Sequence, residues 1–172
     1  MSEINVIKGD RDHSRHPKIP ISILLDRLRS AHNVGNILRL ADAVNAEKVI
    51  CGGYTACPPH PKLEKSAMGA DKIVSTEHVD NSLDAIREYK KNGYTVIGVE
   101  TVENAESIFD IQLNWPTLLV FGNEALGIQE ENLKECDSFI SLPSFGLKNS
   151  VNVSNCAAVV LYKASEQFRK KS

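Results

Sequence analysis

The stretch LLVFGNEALGIQEENL (118–133) changes character in its middle. Four apolar residues typical of a buried strand end at Gly122, and Asn123, Glu124 and a second glycine, Gly127, follow before an acidic, helix-like segment. In an open α/β sheet, ligands bind in the crevice beyond the carboxyl ends of the strands. The polar residues placed directly after this buried strand are therefore candidates for function.

Apolar runs and helical spacings alternate outward from this stretch. Strands are predicted for ISILLD (21–26), KVICGG (48–53), KIVSTE (72–77), YTVIGVE (94–100), TLLVFG (117–122) and SFISLP (138–143). Helices are predicted after the first strand, from about Ser82 to Lys91, after Gly122, and at the end of the chain, while 56–70 is predicted to be a proline-rich loop. This alternation predicts an α/β fold with a mostly parallel sheet and helices on both faces.

Length and composition indicate one globular domain. The chain has 172 residues, of which 42% are hydrophobic and 24% charged. We expect a short basic N-terminal arm (1–20) followed by a single domain (21–172). Because no apolar run is long enough for a membrane span and the first residues lack the apolar core of a signal peptide, we expect a cytoplasmic protein with no membrane association.

The cysteines and histidines do not indicate a metal site. The four cysteines lack CxxC spacing and are predicted to be reduced and mostly buried: Cys51, Cys57, Cys136 and Cys156. His13 and His16 stand in a charged segment and are predicted to be solvated. We therefore expect no bound metal.

The charge is unevenly distributed along the chain. The net charge of −2 argues against a protein that coats nucleic acid by charge alone. Seven basic residues nevertheless crowd the first quarter of the chain: Lys8, Arg11, Arg15, Lys18, Arg27, Arg29 and Arg39. They form either a patch for a polyanion or an ordinary solvated surface.

Common phosphate and nucleophile motifs are absent. The chain has no GxGxxG fingerprint and no nucleophile elbow. Gly122 and Gly127 have the spacing of a P-loop, but Ile128 and Gln129 stand where lysine and a hydroxyl residue are needed. Chemistry on nucleoside triphosphates is therefore not expected.

Three clusters together are more specific than any one of them: HNVGNILRLADA (32–43), FGNEALG (121–127) and ISLPSFGLKNSVNVSNCAAVVLY (140–162). They resemble the three motifs of the SpoU family, also called the TrmH family, of RNA 2′-O-ribose methyltransferases in the SPOUT superfamily. The resemblance covers about residues 21–164. One departure is Val151, which stands where much of the family has leucine and affects pocket shape more than chemistry.

The resemblance implies a C-terminal deep trefoil knot, here about residues 118–162, which also forms the S-adenosylmethionine pocket. The cofactor-binding residues it implies are Phe121, Gly122, Asn123, Gly127, Ile140, Leu142, Pro143, Gly146, Val151 and Asn152. Glycines permit close approach of the backbone to a ligand. We therefore expect Gly122 to end its strand because the cofactor lies against it.

The resemblance also implies the catalytic residues Arg39, Asn33, Glu124, Ser150 and Asn152. Since an arginine is too basic to accept a proton, Arg39 is expected to clamp the target phosphate and the ribose 2′-oxygen. Asn33 and Ser150 would hold Arg39, Glu124 would orient Arg39 or a ribose hydroxyl, and Asn152 would support the cofactor loop or the hydroxyl. Structural alternatives are Asn33 as a helix N-cap, Ser150 or Asn152 as the cap of the last helix, and Glu124 as a surface carboxylate near a helix N-terminus.

The implied substrate is a ribose in RNA, and none of the cysteines stands where a nucleophile for base methylation would. Family members that act on ribosomal RNA often carry an extra N-terminal domain, so tRNA is favoured over rRNA. A homodimer is expected, with Val159 and Tyr162 of the last helix at its interface. Two alternatives remain: a catalytically silent RNA-binding relative and a flavodoxin-like nucleotide-binding protein. Binding of S-adenosylmethionine would separate the enzyme and the silent relative from the flavodoxin-like protein. Activity on RNA would separate the enzyme from the silent relative.

Overall fold

The computed structural model describes residues 16–171, so most of the predicted basic arm and His13 lie outside the described part. One seven-stranded sheet forms the centre, with the strand order β3-β2-β1-β6-β4-β7-β5 and every described pairing parallel. Its strands are β1 (Ile19–Asp26), β2 (Ala46–Gly52), β3 (Thr76–Val79), β4 (Thr95–Val99), β5 (Glu106–Ser107), β6 (Thr117–Phe121) and β7 (Ser138–Ser141). The predicted mostly parallel α/β sheet is confirmed.

Within residues 16–171, five α-helices connect and cover these strands: α1 (Ala31–Val44), α2 (Glu64–Ala67), α3 (Ser82–Lys91), α4 (Glu130–Glu135) and α5 (Val153–Lys171). The side chain of Ser30 caps α1 by accepting a hydrogen bond from the backbone of Asn33, and Asn81 caps α3 in the same way. Helix α1 ends at Asn45, whose φ of 56° lies in the left-handed region that stops a helix.

Two apolar clusters lie on opposite faces of the sheet because side chains alternate along each strand. On β1, Ile21 and Ile23 belong to the cluster that includes residues of α1 and α5. Leu24 belongs to the second cluster, which includes Ile86 of α3. Both faces of the central strands are therefore covered, as a parallel sheet requires.

The sequence patterns were wrong in three places. KIVSTE (72–77) was predicted to be one strand, but residues Ala70–Lys72 form a turn of 3-10 helix and β3 begins only at Thr76. The backbone N–H groups of Ile73 and Val74 both donate to the Ala70 carbonyl, which keeps this apolar run in a turn. The predicted loop 56–70 contains the short helix α2, and the two-residue strand β5 was missed because it is too short to show a period.

The strand order reverses between β1 and β6, so the crevice beyond their carboxyl ends is the topological switch point of the sheet. Asp26, fully buried at the end of β1, fixes this region. Its carboxylate accepts hydrogen bonds from Ser82 Oγ of α3 at 2.8 Å and from Asn132 Nδ2 of α4 at 2.9 Å. One side chain thereby ties two helices to the strand at which the order reverses.

The four cysteines are free thiols; Cys51 is buried and Cys57, Cys136 and Cys156 are half-buried. Burial raises the pKa of the Cys136 thiol to about 12. Within residues 16–171, no helix combines the length and apolar character that crossing a membrane would require.

We predict that Asp26→Ala lowers the free energy of unfolding by about 3 kcal/mol, because two buried donors lose their acceptor at once. Asp110→Ala is the matched control, since Asp110 is exposed, and we expect a change within about 0.5 kcal/mol. Urea denaturation of both variants measures this difference. Equal stability of the two variants would contradict the role given to Asp26.

Candidate active site

A cavity of about 550 Å³ lies beyond the carboxyl ends of β4, β6 and β7 and at the start of α5. Seven of the ten residues predicted to bind a cofactor line it: Phe121, Gly122, Asn123, Gly127, Leu142, Val151 and Asn152. The catalytic candidates Glu124 and Ser150 line it as well. Residues from the second and third sequence clusters thus meet around one space.

The other three predicted cofactor residues do not line the cavity. Ile140 is fully buried in the sheet, where its carbonyl accepts a hydrogen bond from the backbone of Glu100. Pro143 is half-buried beside the cavity wall, and Gly146 is exposed with no atom within 4 Å of a Cβ added to it. For these three residues, membership of a sequence motif did not predict a position in the cavity wall.

Glu124 is held by the segment that leads into α1. Its carboxylate accepts hydrogen bonds from the backbone N–H groups of Arg29 (2.9 Å) and Ser30 (3.0 Å) and from Asn33 Nδ2 (3.0 Å). Burial opposes its ionisation, but these hydrogen bonds outweigh burial and lower the pKa of Glu124 below its ordinary value. Glu124 is therefore a fixed anion at neutral pH, positioned beside the N-terminus of α1.

Asn33 also contacts the residue that precedes the last helix, α5. Its Oδ1 accepts a hydrogen bond from Asn152 Nδ2 at 3.1 Å. The Oδ1 of Asn152 in turn accepts from the backbone of Ser154 (2.9 Å) and Asn155 (3.4 Å), which caps α5. The alternative of Asn152 as the cap of the last helix is confirmed, whereas Asn33 as the cap of α1 is wrong, because Ser30 holds that position.

Arg39 lies apart from this network. It is exposed on α1, six residues and about 9 Å along the helix from Asn33. Within residues 16–171 its side chain makes no hydrogen bond or ion pair with Asn33, Ser150 or Glu124, so the expectation that these residues hold Arg39 is wrong for a single chain. The Asn33 side chain is instead engaged by Glu124 and Asn152.

Asn123 builds the turn that carries Glu124. Its Nδ2 donates to the carbonyl of Arg27 (2.7 Å) and to the Tyr54 hydroxyl (3.0 Å), while its Oδ1 accepts from the backbone of Ala125 and Leu126. All of its hydrogen-bonding capacity is used within the chain. The principal role of Asn123 is thus to fix the loop after β6.

The chain itself explains why Gly122 is a glycine. A Cβ at Gly122 would lie 2.2 Å from the backbone nitrogen of Ile128 and 2.3 Å from the carbonyl carbon of Gly127. The expectation that the cofactor requires glycine here is therefore corrected, because the returning loop already fills that space. Gly127 has a φ of 69°, which favours glycine, and a Cβ there would meet the carboxylate of Glu100 at 2.6 Å.

Sequence reasoning missed Glu100, which follows β4 and lines the cavity. Its Oε2 accepts from the backbone of Ile128 at 3.1 Å. Its position directly after a buried strand is the signal that could have identified it. Among the described residues lining the cavity, the charged ones are Glu100 and Glu124, with no lysine, arginine or histidine.

Cys156 also lines the cavity, but its thiol is not activated. Burial, with the nearby charge of Glu100, raises the pKa of Cys156 to about 11. The thiol is therefore protonated at neutral pH and is a poor nucleophile. The cavity offers two carboxylates, amides and apolar side chains, which suit binding of a cationic ligand.

Known proteins are similar to this chain in sequence. Relatives from Staphylococcus saprophyticus and Staphylococcus haemolyticus, assigned to the TrmH family of tRNA/rRNA methyltransferases, are 32% and 34% identical over 90% and 87% of this chain. The 23S rRNA (uridine(2479)-2′-O)-methyltransferase of Streptomyces viridochromogenes is 32% identical over 86% of it. The chain spans 61%, 58% and 53% of the lengths of these three relatives.

Solved structures agree with these relatives. The TrmH/SpoU tRNA modifying enzyme of A. aeolicus has a TM-score of 0.81 and 27% identity, over 90% of this chain and 78% of its own. The SpoU methyltransferase AviRb from S. viridochromogenes, solved in complex with AdoMet, has a TM-score of 0.79 and 29% identity over 94% of this chain and 65% of its own. The model of the SpoU rRNA Methylase family matches residues 20–162, and the protein belongs to that family.

Proposed function

We propose that the protein transfers a methyl group from S-adenosylmethionine to a ribose 2′-hydroxyl of RNA. The observation that carries this proposal is the Glu124–Asn33–Asn152 network at the wall of a cavity beyond the carboxyl ends of β4, β6 and β7 in a SpoU-family chain. One relative is named as a 2′-O-methyltransferase of rRNA, and one structural neighbour as a tRNA modifying enzyme. We propose tRNA as the first substrate to test, supported by the neighbour that is named as a tRNA modifying enzyme and is 27% identical to this chain.

The cavity fits S-adenosylmethionine in size and chemistry. Its volume of about 550 Å³ lies within the usual range for cofactor sites. Phe121, Leu142 and Val151 provide apolar surface for an adenine ring, and the carboxylates of Glu100 and Glu124 favour a cationic ligand. When bound, S-adenosylmethionine supplies the methyl group from its positively charged sulfonium.

Different residues of the chain have different roles in this reaction. Hydrogen bonds among Asn33, Glu124 and Asn152 fix the cavity wall to the N-termini of α1 and α5. Ser150 places a hydroxyl at the cavity. The exposed guanidinium of Arg39 is available to clamp an RNA phosphate and the 2′-oxygen, with that phosphate as the proton acceptor.

We further propose a single domain over 21–172, preceded by a basic arm, in which residues 118–162 form a trefoil knot. We also propose that the protein is cytoplasmic and forms a homodimer. The homodimer is supported by Tyr162 of α5, whose large aromatic side chain is 57% exposed. A second copy would also account for the distance between Arg39 and the Glu124 network within one chain, because the partner could bring its own arginine to the site.

We predict that the protein binds S-adenosylmethionine more tightly than the neutral-sulfur product S-adenosylhomocysteine, because the cavity is acidic. Glu100→Gln retains an acceptor for the Ile128 backbone but removes the charge. It should weaken S-adenosylmethionine binding about fivefold and change product binding by less than twofold. Calorimetry with both ligands tests this, and no binding of either ligand at millimolar concentration would refute the cofactor proposal.

We predict that the product is a 2′-O-methylated nucleotide and that Arg39→Ala lowers kcat/KM at least about 100-fold while leaving S-adenosylmethionine affinity within about twofold. Total RNA from a strain lacking the protein is incubated with labelled S-adenosylmethionine, digested to nucleosides and analysed by mass spectrometry. Fractionated tRNA and rRNA identify the substrate. Arg39→Lys keeps the charge but not the bidentate geometry. A label on a base, or full activity of Arg39→Ala, would contradict the mechanism.

We predict a homodimer with twice the 19.0 kDa mass of one chain in light scattering at micromolar concentration. Tyr162→Glu places a charge in the proposed interface and should shift the mass toward that of the monomer, whereas Tyr162→Phe should retain the dimer. Mixing inactive Arg39→Ala with inactive Asn152→Ala tests whether the site is shared, since complementation requires residues from two chains. A monomeric wild type would rule out the dimer.

A further inference from the structure

A second cavity of about 700 Å³ lies beyond the carboxyl end of β2 and beside Thr76, Glu77 and His78 of the edge strand β3. We call it the basic groove and define it by the lining residues Arg29, Tyr54, Pro58, His60, Lys62 and His78. None of the proposed cofactor or catalytic residues lines it. Its size and position require a separate explanation.

The basic groove and the cofactor cavity share a wall. Asn123 lines the cofactor cavity and donates from Nδ2 to the Tyr54 hydroxyl of the groove at 3.0 Å. Glu124 lines the cofactor cavity and accepts from the backbone N–H of Arg29, a groove residue, at 2.9 Å. Asn123 and Glu124 would therefore separate a ligand in the groove from a ligand in the cofactor cavity.

The two cavities have opposite charge. The charged residues lining the cofactor cavity are carboxylates, whereas the cations Arg29 and Lys62 line the groove. Among the described residues of the groove lining, the one acid is Glu77, which is neutralised by Lys48 at 2.6 Å. Within residues 16–171 the side chains of Arg29 and Lys62 form no ion pair, so both can bind an anion.

An aromatic ring accompanies these cations. Tyr54 is 59% exposed and lines the groove, and its hydroxyl accepts a hydrogen bond from Asn123, so an accessible ring is held at the groove. A flat ring beside basic side chains is the combination with which proteins bind single-stranded nucleic acid, because the ring stacks on a base while the cations bind phosphates. A free inorganic anion would need no ring and far less volume.

We propose that the basic groove binds nucleotides of the RNA strand next to the methylated ribose, with Tyr54 stacking on a base and Arg29 and Lys62 binding phosphates. This inference rests on the proposed function, because it supplies the strand that the cofactor cavity alone does not hold. Arg29 and Lys62 are positioning residues for the substrate and act before the methyl transfer.

The test measures binding of a fluorescein-labelled, single-stranded oligouridylate of about ten nucleotides at several salt concentrations. Lys62→Gln should weaken binding and reduce the slope of log affinity against log salt by about 0.7, the value for one phosphate on a single strand. Lys91→Gln, an exposed lysine at the end of α3 on the opposite edge of the sheet, is the matched control and should leave the slope unchanged.

The ring is tested separately. Tyr54→Leu should weaken oligonucleotide binding by about 5- to 100-fold, and Tyr54→Phe should retain most of the affinity because the stacking face remains. Circular dichroism of every variant shows that it is folded, and S-adenosylmethionine affinity should stay within about twofold in Lys62→Gln.

Wild-type oligonucleotide affinity and salt slope in Lys62→Gln and Tyr54→Leu would overturn the inference, even in a protein that methylates RNA. Equal competition by a polyglutamate peptide would also overturn it, because the groove would then select acidic peptides as readily as nucleotides. Failure of the proposed function gives a different pattern, in which S-adenosylmethionine does not bind or RNA is not methylated while oligonucleotide binding still depends on Lys62 and Tyr54.

Discussion

The carboxylate of Glu124 is the group on which the geometry of the site depends. It accepts hydrogen bonds from the segment that leads into α1 and from Asn33, which contacts Asn152 at the start of α5. Three segments that lie 91 and 119 residues apart in the chain are thereby fixed to one another. Because the pKa of Glu124 is lowered on folding, its contribution to stability is present above the unfolded value of about 4.3 and is lost as the pH falls through the folded value.

The sheet could be predicted from the sequence where the apolar runs are long and buried on both faces. The β6 run 117–121 and the helix Ser82–Lys91 were predicted to within one residue, since β-branched and aliphatic clusters or a capped periodic helix give strong local signals. The prediction of a strand over residues 72–77 was wrong for the opposite reason. Their run is short, its Ile73 is 58% exposed, and the turn from Ala70 decides the local conformation through backbone hydrogen bonds that side-chain patterns do not encode.

The site was predictable in its location and less so in its contacts. The rule that polar residues after a buried strand face a ligand crevice found Asn123 and Glu124, and the same rule applied to β4 would have found Glu100. Which side chain meets which could not be read from the sequence, because the partners come from long-range packing. Asn33 therefore meets Glu124 rather than Arg39, and Gly122 is explained by the returning backbone rather than by a ligand.

One consequence of these contacts is a separation of charge at a single edge of the sheet. Had Glu124 been neutralised by an arginine side chain, an acidic cavity and a basic groove could not share a wall, because each would lose charge to the other. Backbone N–H groups and an amide satisfy Glu124 instead, and they leave the guanidinium of Arg29 unused within residues 16–171. The cavity therefore keeps the negative charge that suits a sulfonium, and the groove on the other side of the shared wall keeps the positive charge that suits a phosphate.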